Sequence, residues 1–327
     1  MQYRKLGSSD LDVSVIGLGT NNFGNPQRIT DHAASAAVIN KCLDVGINFI
    51  DTADMYGGGQ SEVHIGAALK ARRKEAILAT KFNITKLEGE SIRGRIHRKI
   101  DESLSALQTD YIDLYQIHFP GNDIPQEEIL GPMNDLVVAG KVRYIGECNY
   151  AGWRHAHADA VSESSGWARM VSSQNYYNVF RRQVELELLP FCTAQNVGFL
   201  PYFPLAGGWL TGKYKANDTP SESARRMVGQ LQGDDAARET LKKLDAYATG
   251  KGHTILELAF SWLLAHPAVS SVIAGAMTPG QVEANAKAGD WVMTDEERDE
   301  IDAIASWGGS LEEIEGYGPG SPPVSRR

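Results

Sequence analysis

Cysteine is scarce in this chain: Cys42, Cys148 and Cys192 are the three among 327 residues. An odd, widely spaced set supplies neither a disulfide framework nor a zinc-ligand pattern, so free thiols in a reducing cytosol and no bound metal are expected. An excess of basic residues is lacking too. Lys and Arg number 32 against 41 Asp and Glu, a formal net charge of -9. No domain-wide basic surface is therefore available to neutralise nucleic-acid phosphates. The basic runs Arg72-Arg73-Lys74 and Arg93 to Lys99 fall in helical patterns and read as solvated faces. Apolar runs are short, none approaching the ~18 residues that span a bilayer. Met1-Gln-Tyr-Arg-Lys5 carries no signal-peptide apolar core. The expectation is a cytoplasmic protein that meets neither nucleic acid nor membrane. What is present is ordinary globular composition, 42% hydrophobic and 22% charged.

A strand–helix rhythm organises the chain. Residues 2–14 read as a hairpin around a turn from Gly7 to Asp10. Val15 to Thr20 then reads as a strand, followed by a helix that Thr30 caps and Gly46 ends as the first residue past its cap. Further strands are expected at Asn48 to Ala53, Ile77 to Lys81, Ile112 to His118, Val142 to Asn149, Met170 to Gln174, Val197 to Phe203 and Ser271 to Gly275. The intervening helices include Ser91 to Leu107, with Ile92, Ile96, Ile100, Leu104 and Leu107 on one stripe, and Val184 to Gln195. Thr254 and Glu257 have the spacing of a capping box. A long polar segment separates Ala206 from Gln232, an extra helix starts near Asp295, and residues 308–327 form a Gly/Pro/Ser-rich tail that reads as mobile. Eight such units, roughly 30–40 residues apart, favour one closed (β/α)8 barrel over residues 1–327 rather than an open sheet.

Polar residues recur at one topological position. Asp51, Lys81, His118, Asn149, Gln174 and Tyr202 all fall at C-terminal strand ends, where barrel enzymes place their chemistry, and Tyr56 follows in a loop. A carboxylate among apolar residues costs several kcal/mol unless paired, so Asp51 needs a partner, and Lys81 is the candidate. Taken singly, Asp51–Lys81 is equally a structural ion pair, Tyr56 a rim aromatic and His118 a core histidine. Together they make a proton-transfer site. A lysine held charged by Asp51 stabilises the phenolate of Tyr56 as it gives up its proton, while His118 donates to or orients a substrate oxygen.

Several separated motifs carry a family resemblance across residues 3 to 305. They are Gly17-Leu-Gly-Thr20, Asn48-Phe-Ile-Asp-Thr-Ala-Asp-Met-Tyr-Gly57, Thr80-Lys81, Gln116-Ile-His118, Gly140-Lys-Val-Arg-Tyr-Ile-Gly146 and Leu210-Thr-Gly-Lys-Tyr214. The chain resembles the aldo-keto reductase superfamily. Pro204-Leu-Ala-Gly-Gly208 followed by Lys213 points to the branch similar to potassium-channel β subunits, general stress reductases and aryl-alcohol dehydrogenases.

The resemblance implies nicotinamide-dependent reduction of an aldehyde or ketone, or the reverse oxidation of an alcohol, with Tyr56, Asp51, Lys81 and His118 as catalytic tetrad. It places Asn149 and Gln174 on the nicotinamide amide, Tyr202 against the ring, and Thr20 and Asn21 by the ribose. Gln281 and Asn285 reach the adenosine end. The phosphate loops are those after the seventh and eighth strands, with Pro204, Leu205 and Lys213 in one and Ala276 in the other. Gly275 and Gln281 stand where many NADPH-dependent members carry lysine and arginine. Lys213 with Arg225 or Arg226 takes over that task in this expectation, which prefers NADP(H) and leaves NAD(H) open. Cys148 and Phe203 stand where many members have serine. Asn22, Phe23, Met55, Phe82, Phe119 and Tyr150 are expected around an aromatic or hydrophobic substrate. The competing expectations are an NADP(H)-binding regulatory subunit with slow turnover and a lyase that uses Lys81 as a Schiff base.

Overall fold

Eight parallel strands close into a barrel in the computed structural model, which describes residues 1–85, 89–121, 123–214 and 226–307. After an antiparallel hairpin, β1 (Tyr3–Lys5) and β2 (Asp12–Ser14), the barrel strands are β3 (Ile16–Gly19), β4 (Phe49–Asp51), β5 (Ile77–Phe82), β6 (Ile112–Ile117), β7 (Val142–Cys148), β8 (Met170–Tyr176), β9 (Gly198–Tyr202) and β10 (Val272–Gly275). Each pairs with the next, and β10 returns to β3. The expected (β/α)8 barrel is the fold.

Successive strand residues face opposite sides of the wall. On the inner side Phe49, Ala79, Leu114, Leu200 and Ile273 form a small core with Leu6, Leu11 and Val13 of the hairpin. Two residues further along four of those strands come Asp51, Lys81, Gln116 and Tyr202, so the apolar layer supports a polar one above it. The outward set, among it Ile50, Leu78, Tyr115 and Ile117, packs into the larger core beneath the helices.

The helices are α1 (His32–Asp44), α2 (Gln60–Leu69), α3 (Ile92–Leu107), α4 (Gln126–Val138), α5 (Gly152–Ser165), α6 (Leu188–Gln195), α7 (Arg226–Gln232), α8 (Asp235–Gly250), α9 (Ile255–Leu264), α10 (Pro279–Ala288) and α11 (Asp295–Ile304). None of those described is long and apolar enough to cross a membrane. Ile92, Ile96, Ile100 and Leu107 form the buried stripe of α3, and Thr254 with Glu257 makes both bonds of a capping box on α9. Two expectations need correcting. Asp31, not Thr30, caps α1, because its carboxylate accepts from Ala33 N at 3.0 Å. The helix expected over Val184 to Gln195 is broken into a 3₁₀ turn, Gln183–Glu185, and the shorter α6. Between them Glu187 leaves helical geometry, and its carboxylate accepts from Gly152 N at 2.6 Å, at the start of α5. The expected tail lies outside the described residues.

The hairpin is tied to the opposite end of the sequence. Arg4 donates to Val269 O at 2.7 Å and Leu264 O at 2.9 Å, and Ser270 Oγ donates to Lys5 O at 2.9 Å. At Gly7 (φ +54) a Cβ would lie 2.4 Å from Val171 O and 2.5 Å from Gly198 N. Gly7→Ala is therefore expected to lower the urea midpoint, by about 1–3 kcal/mol of strain or more. A midpoint equal to that of the native chain would show that the hairpin does not seal the barrel floor.

Candidate active site

Three neighbouring strands end at the site. Asp51 ends β4, Lys81 lies near the end of β5, His118 follows β6, and Tyr56 opens a 3₁₀ turn, Tyr56–Gly59, in the loop after β4. Gly57 makes that turn possible. Its φ is +59, and a Cβ there would strike Phe23 O at 2.5 Å.

Lys81 and Asp51 are both buried, with Nζ 2.6 Å from Oδ2, and Nζ also donates to Thr52 O at 2.8 Å. Burial works against the lysine charge, yet Asp51 and Tyr56 outweigh it and hold the Lys81 pKa above its ordinary value. The cation sits 5.0 Å from the centre of the Tyr56 ring. Burial raises the Tyr56 pKa, and Lys81 pulls against that rise without reversing it. The His118 ring stands edge-on to Tyr56 at 5.7 Å. Burial, joined by repulsion from Lys81, pushes the His118 pKa from 6.5 down to about 3. The imidazole is thus neutral at neutral pH. Its Nδ1 is buried without a partner, and orphaned N–H groups are rarer in protein interiors than orphaned acceptors. The ring proton accordingly belongs on Nε2.

Asp51 is fixed on its other oxygen as well, where Oδ1 accepts from Gln174 Nε2 at 2.9 Å and Gln116 Nε2 at 3.3 Å. Behind the ion pair the hydroxyls join up: Thr20 Oγ1 donates to Asp51 O at 2.9 Å, and Ser61 Oγ lies 3.0 Å from Thr20 Oγ1 and 2.9 Å from Thr52 Oγ1. Asn149 adopts a left-handed conformation (φ 63). Its Nδ2 donates to His118 O at 2.9 Å, and its Oδ1 accepts from Tyr202 OH at 2.8 Å. Tyr202 stacks on Tyr176 at 5.6 Å.

Asp51, Tyr56 and His118 open on one cavity of about 640 Å³. Of the expected cofactor residues, Thr20, Asn21, Asn149, Gln174 and Tyr202 line it beside the tetrad. Pro204, Leu205 and Lys213 line it from the loop after β9, and Gln281 and Asn285 from α10. Ala276 does not. It is buried in the outer core, while its neighbours Gly275 and Met277 face the cavity. Arg225 lies outside the described residues, as does the side chain of Arg226.

The substrate wall is where the expectations fail. Phe119 lines the cavity, 39% exposed and stacked on His118 at 4.4 Å, and Asn22 lines it too. Phe23 and Phe82 are wholly buried in the outer core, Phe82 stacking on Tyr115 at 4.7 Å. Phe82 neighbours Lys81 on β5, so strand alternation turns it away from the barrel interior. Met55 is 52% exposed but lies off the cavity lining, and Tyr150 is buried away from it. Sequence reasoning missed Arg28, a cavity-lining cation on the loop after β3, and Gln116. Gln116 was legible: it stands two residues before His118 and therefore on the same face.

The sequence comparisons agree with this geometry. A family model described as the Aldo/keto reductase family matches residues 15–306. The chain belongs to the aldo/keto reductase family. Its relatives include aldo-keto reductase YhdN of Bacillus subtilis (strain 168), 33% identical over 93% of each chain. A versiconal hemiacetal acetate reductase of Aspergillus parasiticus is 30% identical over 84% of this chain and 88% of the relative. A probable voltage-gated potassium channel subunit beta of Oryza sativa subsp. japonica is 32% identical over 93% of this chain and 96% of its own. The family membership and the named reductases make this chain an oxidoreductase acting on carbonyls. Among the described residues no group of three or more potential ligands could hold a metal ion.

The depressed His118 value has a consequence for this family member's stability. The unfolded chain takes up the His118 proton near pH 6.5 while the folded chain resists it down to about 3, so folding stability falls as pH drops through that window. The His118 imidazole resonance is expected not to titrate between about pH 5 and 8. A midpoint near 6.5 in that NMR titration would mean that the imidazole is solvated and charged in the site.

Proposed function

We propose that this chain is an NADP(H)-preferring aldo-keto reductase of aromatic or hydrophobic aldehydes and ketones, with Tyr56 as the proton donor. The observation that carries the reading is the buried Lys81–Asp51 pair, its ammonium 5.0 Å from the centre of the Tyr56 ring, at the wall of the cavity.

The residues present fit a nicotinamide dinucleotide. Arg28 and Lys213 offer cations from loops after β3 and β9. The N-terminus of α10 adjoins the same cavity; Pro279 carries no N–H and Gln281 N is taken by Thr278, so it is the positive end of the helix dipole that favours an anion there. Gln281 Oε1 accepts from Met277 N at 2.7 Å, which leaves its NH2 for a ligand. Thr20, Asn149, Gln174 and Tyr202 would hold the nicotinamide half. When bound, the nicotinamide supplies or accepts the hydride.

The protein's own part is proton transfer. A reduced carbonyl leaves charge on oxygen, and Tyr56 OH gives up its proton to that oxygen. Lys81 stabilises the resulting phenolate, and Asp51 keeps Lys81 charged and in place. Neutral His118 donates from Nε2 to the same oxygen and orients the carbonyl. In the oxidation direction the same groups run in reverse, Tyr56 phenolate accepting the alcohol proton. Phe119, stacked on His118 at the cavity wall, supports an aromatic or apolar substrate. Lys81 is engaged by Asp51 and held protonated, which argues against its use as a Schiff-base nucleophile.

A second reading, a nucleotide-holding partner subunit with slow turnover, is supported by the similarity to proteins named as potassium channel β subunits. Fluorescence titration with NADPH and NADH, followed by a panel of aromatic aldehydes, separates the two. Tight NADPH binding with oxidation on aldehyde addition is expected, whereas binding without turnover favours the partner subunit. Lys213→Met is expected to weaken NADPH about tenfold while changing NADH less. Equal loss for both nucleotides would remove the phosphate role. Tyr56→Phe is expected to lose at least about 100-fold in carbonyl reduction with cofactor binding nearly intact. An unchanged rate would exclude Tyr56 as the acid.

A further inference from the structure

Asp51 meets a charged partner on one oxygen and neutral ones on the other. Oδ2 takes Lys81, while Oδ1 takes the side-chain amides of Gln174 and Gln116. Gln116 is wholly buried and does not line the cavity, so it reaches neither substrate nor cofactor. The other end of its amide is also engaged. Cys148 Sγ stands 3.9 Å from Gln116 Oε1, with the thiol as donor. Burial raises the Cys148 pKa well above its ordinary value against the opposing pull of Lys81, so the sulfur keeps the hydrogen it donates. The register makes this line-up possible: Lys81 lies beside Gln116 across β5–β6, Gln116 beside Gly146 across β6–β7, and Cys148 beside Gln174 across β7–β8. At Gly146 a Cβ would lie 2.2 Å from Ser172 Oγ, so this part of the barrel interior is tightly filled.

An amide has a donor end and an acceptor end. With Oε1 turned to the thiol, Nε2 must turn to Asp51. Were the amide reversed, Oε1 would face the carboxylate, two acceptors would meet, and Asp51 would lose a donor. The thiol thus reinforces the orientation that Asp51 itself favours, which draws negative charge from the carboxylate on the side away from Lys81. That charge matters at Tyr56, where Lys81 favours the phenolate and Asp51 opposes it. Each donor on Oδ1 weakens the opposition.

We propose that Gln116, oriented by the Cys148 thiol, is a positioning residue of the reaction, acting through Asp51 to set the acid strength of Tyr56. The proposal rests on Tyr56 as proton donor. Gln174 still holds Oδ1 at 2.9 Å when Gln116 is removed, so Asp51 keeps its place and the change is electrostatic. The sign follows. Without the Gln116 donor, more of the Asp51 charge is felt at Tyr56, which becomes a weaker acid.

The test is the pH profile of kcat for aldehyde reduction in Gln116→Met, Cys148→Ala and the double variant, with NADPH affinity and thermal stability measured on each. In Gln116→Met the alkaline limb is expected to move up by roughly half a unit to one unit, with a several-fold lower kcat at neutral pH and unchanged NADPH affinity. Cys148→Ala is expected to shift the limb in the same direction by less, since Gln116 then loses the contact at Oε1 while Asp51 still favours its donor end. The double variant is expected to exceed Gln116→Met by less than the full Cys148→Ala shift, because the thiol acts in part through the amide and in part from its own place on the cavity wall. A limb that stays put or moves down in Gln116→Met, or a double variant showing the sum of the two shifts, overturns the proposal. If Gln116→Met fails to fold, Cys148→Ala carries the test, and an unmoved limb there overturns it. Failure of the underlying reading looks different: Tyr56→Phe would then retain its reductase rate and its alkaline limb.

Discussion

The ion pair between Lys81 and Asp51 is the constraint around which the barrel top is built. Two charges removed from water are costly even when they meet at 2.6 Å, because the desolvation cost rivals their attraction. The remaining polar valences must therefore be met by protein. Thr52 O takes a further proton of the ammonium, and the amides of Gln174 and Gln116 take the free carboxylate oxygen. Every one of these partners lies on a barrel strand or on the residue that directly follows one. The pair is thereby held by the hydrogen-bonded barrel strands while the loops around it supply the aromatic and cationic lining. A cation held under a phenol in this way favours the phenolate at a position where burial alone disfavours it, an opposition on which the proposed acid role of Tyr56 depends.

Alternation along the strands converts sequence into layers. Phe49, Ala79, Leu114 and Leu200 close the lower interior with the hairpin, and the residues two positions on from them form the polar layer above, of which Asp51 and Tyr202 reach the cavity. The intervening residues bind the helices to the barrel. The division is sharp enough that adjacent residues live in different worlds: Lys81 meets Asp51 in the interior while Phe82 stacks on Tyr115 outside it.

This alternation also explains what could be read from the sequence. The meeting of Asp51, Tyr56, Lys81 and His118 was legible because each sits in a short local motif and all share one topological position. The capping box at Thr254 and the stripe on α3 were legible for the same reason, being matters of a few residues' spacing. Phe23 and Phe82 were misplaced because nearness to a strand end says nothing about which face a residue takes, and Phe82 is ruled out only when its neighbour Lys81 is assigned inward. Gln116 follows from that same count, taken back from His118. The break at Glu187 was not legible at all, since it depends on Gly152 in a different helix. Arg28 was hidden in a loop whose path no periodicity describes.

The bonding of the hairpin gives the fold a temporal order. Arg4 and Lys5 are held by Val269, Leu264 and Ser270, and Gly7 lies against Val171 and Gly198. On a ribosome the first fourteen residues emerge long before any of these partners exist. Leu6, Leu11 and Val13 have their full set of apolar neighbours only once Ile273 of β10 is present. Such pairings between distant parts of a chain form late because the intervening loop must close first. A nascent chain stopped short of residue 264 therefore lacks the partners at Leu264, Val269 and Ser270 that anchor the hairpin to the barrel floor.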